Sequence, residues 1–274
     1  MDAVVLDSEM VPQARAQILI AFLLIGLGLA GLVSSARASE VGTAILVYHR
    51  FDPALAGSTT VTVPALEAQL AWLSRHGYRI IPLHEAVAEL NETNQRRRAP
   101  SAAITIDDGH RSVYTMLFPL IRKAGIPVTV FIYPSAISNA SYALTWAQLK
   151  EMEASGLVDI ESHTYWHPNF KTEQRRLSPA AYRSLVDTQL RQSKAILEKR
   201  LGKSVDQLAW PFGIVDQDLE VAARRAGYTT GFAYTGGPAQ PGDDVLALPR
   251  IPITDADVGS RFGALIASRE KKLP

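Results

Sequence analysis

The chain contains no cysteine. That excludes disulfides and thiolate metal ligands, so any bound metal has to be held by histidine and carboxylate. Net charge is nearly absent too, at +1 over 274 residues, which gives bulk electrostatics no hold on nucleic acid. The one dense basic run, Arg96-Arg97-Arg98, lies in a polar stretch before a predicted strand and reads as a solvated loop. After residue 39 there is no internal repeat and no low-complexity linker, and no histidine follows His167.

Long apolar runs are scarce, with one exception. Gln17 to Val33 is almost wholly apolar, preceded by Arg15 and followed by Ala36-Arg37-Ala38. A basic residue, an apolar stretch and a small-x-small site read as a secretory signal cleaved after Ala38. The run falls a little short of the ~20 residues of a membrane span, and an uncleaved membrane anchor is the alternative. Met10 is an alternative start, since Asp2, Asp7 and Glu9 are out of character for the head of a signal. Either way, residues 39–274 are expected to work outside the cytoplasm, in the periplasm or beyond the cell, free or tethered.

What the chain has in plenty is alternation. Short apolar runs predict strands at Ala44–Tyr48, Arg79–Pro82, Ala102–Ile106, Val128–Tyr133, Val158–Ser162, Gln207–Trp210, Thr229–Tyr234 and Val245–Ile251. Helical patterns fall between them at Pro64–His76, Leu83–Leu90, Ser112–Ala124, Trp146–Ser155, Pro179–Leu201 and Gln217–Ala226. Thr145 with Gln148 makes a capping box, and Ser178-Pro179 sets a cap before a first-turn proline. Gly77, Gly125, Gly156, Gly202 and Gly227 each follow a helix where a left-handed residue is needed. Such alternation implies one α/β domain with a parallel sheet, barrel or doubly wound, whose chemistry lies beyond the carboxyl ends of the strands.

Three polar clusters occupy those positions. Thr105-Ile106-Asp107-Asp108-Gly109-His110 offers adjacent carboxylates that point in different directions, although Asp-Asp-Gly alone is commonly a turn. Ser162-His163-Thr164-Tyr165-Trp166-His167-Pro168 brings two histidines onto one face if the loop takes a helical turn, although two surface histidines would look the same. Two histidines with one carboxylate make an open three-ligand site for a divalent metal, with room for water. Ala209-Trp210-Pro211-Phe212-Gly213 reads either as core aromatics and a turn or as the aromatic wall of a sugar groove.

In this order and at these strand ends, the clusters resemble the NodB-homology polysaccharide deacetylases, carbohydrate esterase family four, over roughly Ala44 to Ile253. The resemblance implies a distorted barrel of about seven (β/α) units and a divalent metal, often zinc. Carried over, Asp108, His163 and His167 are the metal ligands and Asp107 the general base. Trp210, Pro211 and Phe212 are the substrate-binding stretch, with the Phe212 N–H a candidate oxyanion donor.

Two features depart from the family. Its third motif carries an arginine that pairs with the catalytic aspartate, and Ala209 stands in that slot. Arg250, ending the last predicted strand, either supplies the charge or makes a salt bridge on the rim. The family's late histidine is absent. His76 and His84 lie in helical patterns and read as structural, His110 adjoins the metal motif, and His49 ends the first strand. Deacetylases of exported poly-β-1,6-N-acetylglucosamine have a similar layout with an early Tyr-His, which favours His49 as the acid and an amino-sugar polysaccharide as substrate. Peptidoglycan, chitin oligomers and O-acetylated xylan are the substrate alternatives, and a sugar-binding protein with a degenerate site is the alternative outside catalysis.

Overall fold

Strands rich in Val, Ile and Phe, most of them separated from the next by a helix, cannot pair as hairpins and must cross over. The computed structural model, which describes residues 42–91 and 99–267, shows that outcome. In chain order the elements are β1 (Ala44–Tyr48), β2 (Arg50–Asp52), β3 (Thr60–Thr62), α1 (Val63–Arg75), β4 (Arg79–Ile80), α2 (Leu83–Leu90) and β5 (Ser101–Ile106). A wide helical turn (Val113–Leu117) leads into α3 (Phe118–Ala124), then β6 (Val128–Ile132), α4 (Trp146–Ala154) and β7 (Val158–Ser162). The rest are α5 (Phe170–Arg176), α6 (Pro179–Leu201), β8 (Gln207–Ala209), α7 (Gln217–Ala226), β9 (Thr230–Phe232), β10 (Ile251–Pro252) and α8 (Gly259–Ala267). The signal or anchor segment, residues 1–38, and the basic run 96–98 lie outside the described residues.

Seven parallel strands follow the order β10-β1-β5-β6-β7-β8-β9, with β4 beside the start of β5. The sheet is curled into a half-barrel, in line with the expected distorted (β/α)7 form. Alternation along the strands gives it two unlike faces. Leu46, Ile104, Val130, Ile160 and Leu208 face the large cluster under the helices. Ile45, Ala103, Phe131, Ala209 and Phe232 fill a smaller cluster inside the curl. Register pairs Ile45 with Ala103, and Ala209 with Phe232, so the inner row is continuous.

The last predicted strand, Val245–Ile251, is a strand only at its end, because the segment changes partner. The Gly231 N–H donates to the Val245 carbonyl (2.9 Å) and the Leu248 N–H to that of Gly231 (2.9 Å). Beyond them, Ile251 and Pro252 pair with β1. The first contact depends on Gly231, where a Cβ would lie 2.2 Å from the Leu246 oxygen. Arg250 therefore leaves the chain between the two edges of the sheet. The helix predicted from Ser112 also departs from regularity. Pro119 has no N–H to give the carbonyl four residues back and its ring crowds that group, which the wide turn over Val113–Leu117 accommodates.

One expectation fails on parity. If Ala209 faces the inner row, Trp210 must face the other way, and it does. Trp210 is 1% exposed in the large cluster, its indole N–H donates to the Leu246 carbonyl (2.7 Å), and Pro211 is buried beside it. Neither presents a face to a sugar. Trp210→Ala should accordingly cost about 3–5 kcal/mol in urea unfolding, as for a core aromatic. A cost below about 1 kcal/mol would return this residue to the surface of the groove.

Candidate active site

The inner row, continued past the strand ends, reaches the polar clusters. From β5 it runs through Thr105 to Asp107, and from β7 to His163. Asp107 and His163 are each 2% exposed. Arg250, fully buried, closes on Asp107 with a two-pronged pair: Nη1 donates to Oδ1 at 2.7 Å and Nη2 to Oδ2 at 2.7 Å. Two further donors are used, Nη1 on Thr105 Oγ1 (3.1 Å) and Nε on the Ala233 carbonyl (3.2 Å). The guanidinium lies 5.4 Å from the centre of the Phe131 ring. Of the two readings of Arg250, the structure therefore shows the pair with Asp107 and not a rim salt bridge.

Electrostatics follow from this packing. Burial acts to raise the Asp107 carboxyl, but Arg250 and then His163 oppose it, and the group is held well below the usual carboxylate range. Asp108 goes the other way, pushed up chiefly by burial and by the Asp107 charge, against His49. Burial drives His163 down to about 3 and lowers His167. Both imidazoles are thus neutral at ordinary pH. The His163 Nδ1 lies 2.7 Å from the Ala209 carbonyl, which can only accept, so Nδ1 carries the proton and Nε2 carries a lone pair.

That lone pair has an unusual outlook. His163 Nε2 lies 3.7 Å from Asp107 Oδ2 and 3.7 Å from Asp108 Oδ1, and His167 Nε2 lies 3.6 Å from Asp108 Oδ1. These separations exceed hydrogen-bonding distance. The ligand atoms of Asp108, His163 and His167 all lie within 4.8 Å of one another. Lone pairs and carboxylate oxygens facing each other repel unless a cation stands among them, so the donor set fits a divalent metal. The backbone is bent to achieve this. Of five non-glycine residues with positive φ among those described, four are Asp108 (74°), Thr164 (65°), His167 (64°) and Phe212 (57°), all at this rim. Gly109 (φ 68°) completes the turn, where a Cβ would meet Ile132 Cγ2 at 2.8 Å.

The two histidines do not converge through a helical turn, as the spacing suggested. Residues 163–167 form an open loop in which the His167 N–H donates to Thr164 Oγ1 (3.2 Å) and the Trp166 N–H to Gln189 Oε1 (3.0 Å). The two rings lie 4.6 Å apart, edge to face. Phe212, 56% exposed, packs its ring 4.7 Å from His167 and is the one member of its motif that faces outward.

His49 follows β1, half-buried, and its ring meets the edge of Tyr234 at 6.0 Å. When protonated it favours ionisation of both aspartates. His110 is turned aside, its Nδ1 2.8 Å from Ser112 Oγ. Thr105, which opens the first polar cluster, accepts from Arg250; the tyrosines Tyr133 and Tyr234 lie outside the three clusters. Tyr133 packs 5.5 Å from His167. Tyr133 directly follows β6 and Tyr234 lies two residues beyond β9, and the strand-end rule could have found them.

With this geometry in hand, the comparisons define the class. The chain belongs to the polysaccharide deacetylase family, whose model matches residues 94–231, and is a hydrolase acting on carbon–nitrogen bonds other than peptide bonds. It is 29% identical to YxkH of Bacillus subtilis over 224 residues, 82% of this chain and 76% of that one. It is 27% identical to the poly-β-1,6-N-acetyl-D-glucosamine N-deacetylase of Staphylococcus epidermidis over 200 residues, 72% of this chain and 68% of that one. Among solved structures it superposes on IcaB from Ammonifex degensii with a TM-score of 0.72 at 25% identity, covering 82% of this chain and 96% of that one.

The buried pair yields a prediction with a definite sign. A carboxyl depressed on folding contributes stability above its unfolded pKa, which is lost as pH falls through the folded value. In Arg250→Met the largest force opposing burial of the Asp107 charge is gone, so its pKa rises. Stability at pH 7 should drop by about 3–5 kcal/mol and partly recover on acidification, as Asp107 takes up a proton. A variant as stable as the parent, with an unchanged acid profile, would contradict the pairing.

Proposed function

We propose that this protein is a zinc-dependent N-deacetylase of an exported poly-β-1,6-N-acetylglucosamine-like polymer, releasing acetate and leaving free amines. The observation that carries the reading is the convergence of Asp108, His163 Nε2 and His167 Nε2 beside an arginine-held Asp107. Two imidazole nitrogens and one carboxylate oxygen, with no thiolate, suit zinc and leave a position open. The ligand separations of 3.6–3.7 Å are close to the ~3.4 Å between neighbouring ligands of a tetrahedral zinc. The metal, when bound, polarises the acetyl carbonyl and acidifies water.

The chain's own residues supply the rest. Asp107 stays ionised, with both oxygens oriented by Arg250, and takes the proton of the attacking water at Oδ2, which faces His163. Such a depressed carboxylate is a weak base, so it works only on water that is already acidified. The new bond joins the water oxygen to the acetyl carbon, and the Phe212 N–H donates to the oxygen that gains charge there. The carbon–nitrogen bond then breaks. Protonated His49 delivers a proton to the leaving nitrogen and is left neutral; the proton that Asp107 took from water then passes to His49, directly or through solvent, and returns both groups to their starting states.

The polymer class is supported by the name of the Staphylococcus relative and by the early Tyr48-His49. Export is supported by the apolar run Gln17 to Val33 before Ala36-Arg37-Ala38, whether that segment is cleaved or retained as a tether. A degenerate sugar-binding site is disfavoured by Arg250, since the charge missing at position 209 is supplied from another strand end.

Metal content and turnover separate the roles. His163→Ala, His167→Ala and Asp108→Ala should each lose zinc and activity together while keeping the fold; full zinc retention in the double histidine variant would sink the ligand set. Asp107→Asn should keep zinc and lose ~10²-fold or more in rate, and loss of zinc instead would mean the two aspartates have exchanged roles. His49→Ala should lose ~10²-fold or more on N-acetylated oligomers with zinc unchanged, and much less on an activated aryl acetate, whose leaving group needs no proton. Equal losses on both substrates would remove His49 from the acid's role.

A further inference from the structure

The loop between β6 and α4 carries Tyr142, a residue with no part in the chemistry described above. Its ring is 40% exposed, and yet little about it is free to move. The hydroxyl lies 2.9 Å from the Tyr133 hydroxyl. The ring stacks on His110 at 6.4 Å with an interplanar angle of 9°. The backbone is tied to the metal motif itself: the Arg111 N–H donates to the Tyr142 carbonyl (2.7 Å), the Leu144 N–H to the Gly109 carbonyl (2.9 Å), and His110 pairs with Ala143. Ser138, in a left-handed conformation (φ 64°), closes the loop through its N–H to the Leu144 carbonyl (3.0 Å).

A large aromatic held outward by this many bonds needs a reason, because an exposed ring gains little from burial in its own fold. Tyr142 is joined through Tyr133 to His167, and His167 to Phe212, whose rings are 4.7 Å apart. The aromatic side chains therefore form a continuous arc past the metal ligands, with Phe212 at the reacting end and Tyr142 at the far end. Rigid, amphipathic rings are efficient platforms because binding orders nothing further in them. A sugar offers a patch of C–H groups to such a face and hydroxyls to the phenol oxygen.

We propose that Tyr142 is the platform of a second sugar subsite, holding a residue of the polymer other than the one being deacetylated and so setting a preference for longer chains. The proposal rests on the polysaccharide reading above, and it assigns Tyr142 to binding and not to bond making. Its contribution exists only when the substrate is long enough to reach it.

The test is kcat/KM on N-acetylglucosamine oligomers of increasing length, for the zinc-loaded parent, Tyr142→Ala and Tyr142→Phe. For Tyr142→Ala we expect about a tenfold loss on a pentamer or longer, appearing in KM, with little loss on the dimer and none on an activated aryl acetate. Tyr142→Phe should retain most of the long-chain activity, since the ring remains. Losses of equal size on every substrate, or reduced zinc content, would show that Tyr142 only braces the Gly109 turn and would overturn the subsite. So would a pentamer rate equal to that of the parent. If the parent turned over the aryl acetate but no oligomer, the polymer assignment itself would fall, a result distinct from these.

Discussion

A guanidinium buried in the mouth of a half-barrel is costly, and everything around Arg250 serves to satisfy it. Its forked donors meet both oxygens of Asp107, and two further N–H groups find Thr105 and the Ala233 carbonyl. A buried ion pair seldom adds much to stability over well-packed apolar groups. Orientation is what this one provides. It ties the segment that passes from β9 to β10 to the end of β5, and it fixes an ionised carboxylate beside His163.

The candidate metal ligands depend on that arrangement. With Asp107 committed to Arg250, the neighbouring Asp108 is turned the other way by a left-handed backbone and faces the two imidazoles. The orientation of His163 is set by the Ala209 carbonyl, which holds its Nδ1 proton. Hydrogen bonds from groups outside the coordination sphere commonly set ligand geometry in this way. Ala209 thus has two consequences. Its side chain leaves the family's usual arginine position empty, and its carbonyl orients a ligand.

Much of this was legible in the residues. β1, β7, α2, α6 and α7 have the bounds that periodicity and capping predict, since each carries a clear apolar period or a strong cap. The pairing of β2 with β3 was not legible, because three residues per strand are too few to show alternation. α5 buries only Phe170 and so has no apolar stripe to read. In the site, strand ends pointed to residues that converge at one rim, but direction was lost where parity was not followed. Trp210 looked like a groove aromatic, and the inward face of Ala209 already implied that it points into the core. The His163–His167 loop was misread for another reason. Convergence there comes from two left-handed residues, Thr164 and His167, and neither residue type announces that conformation. Tyr142, in a loop without periodicity, gave no signal at all.

The proposed chemistry turns on a cation standing where neutral nitrogen lone pairs face carboxylate oxygens. The most direct measurement is a crystal structure of zinc-soaked protein with anomalous data on either side of the zinc absorption edge. The expected map has one strong peak bounded by Asp108, His163 Nε2 and His167 Nε2, with Asp107 still paired to Arg250. A peak coordinated by Asp107 with Arg250 displaced, or no peak between the two histidines, would contradict it.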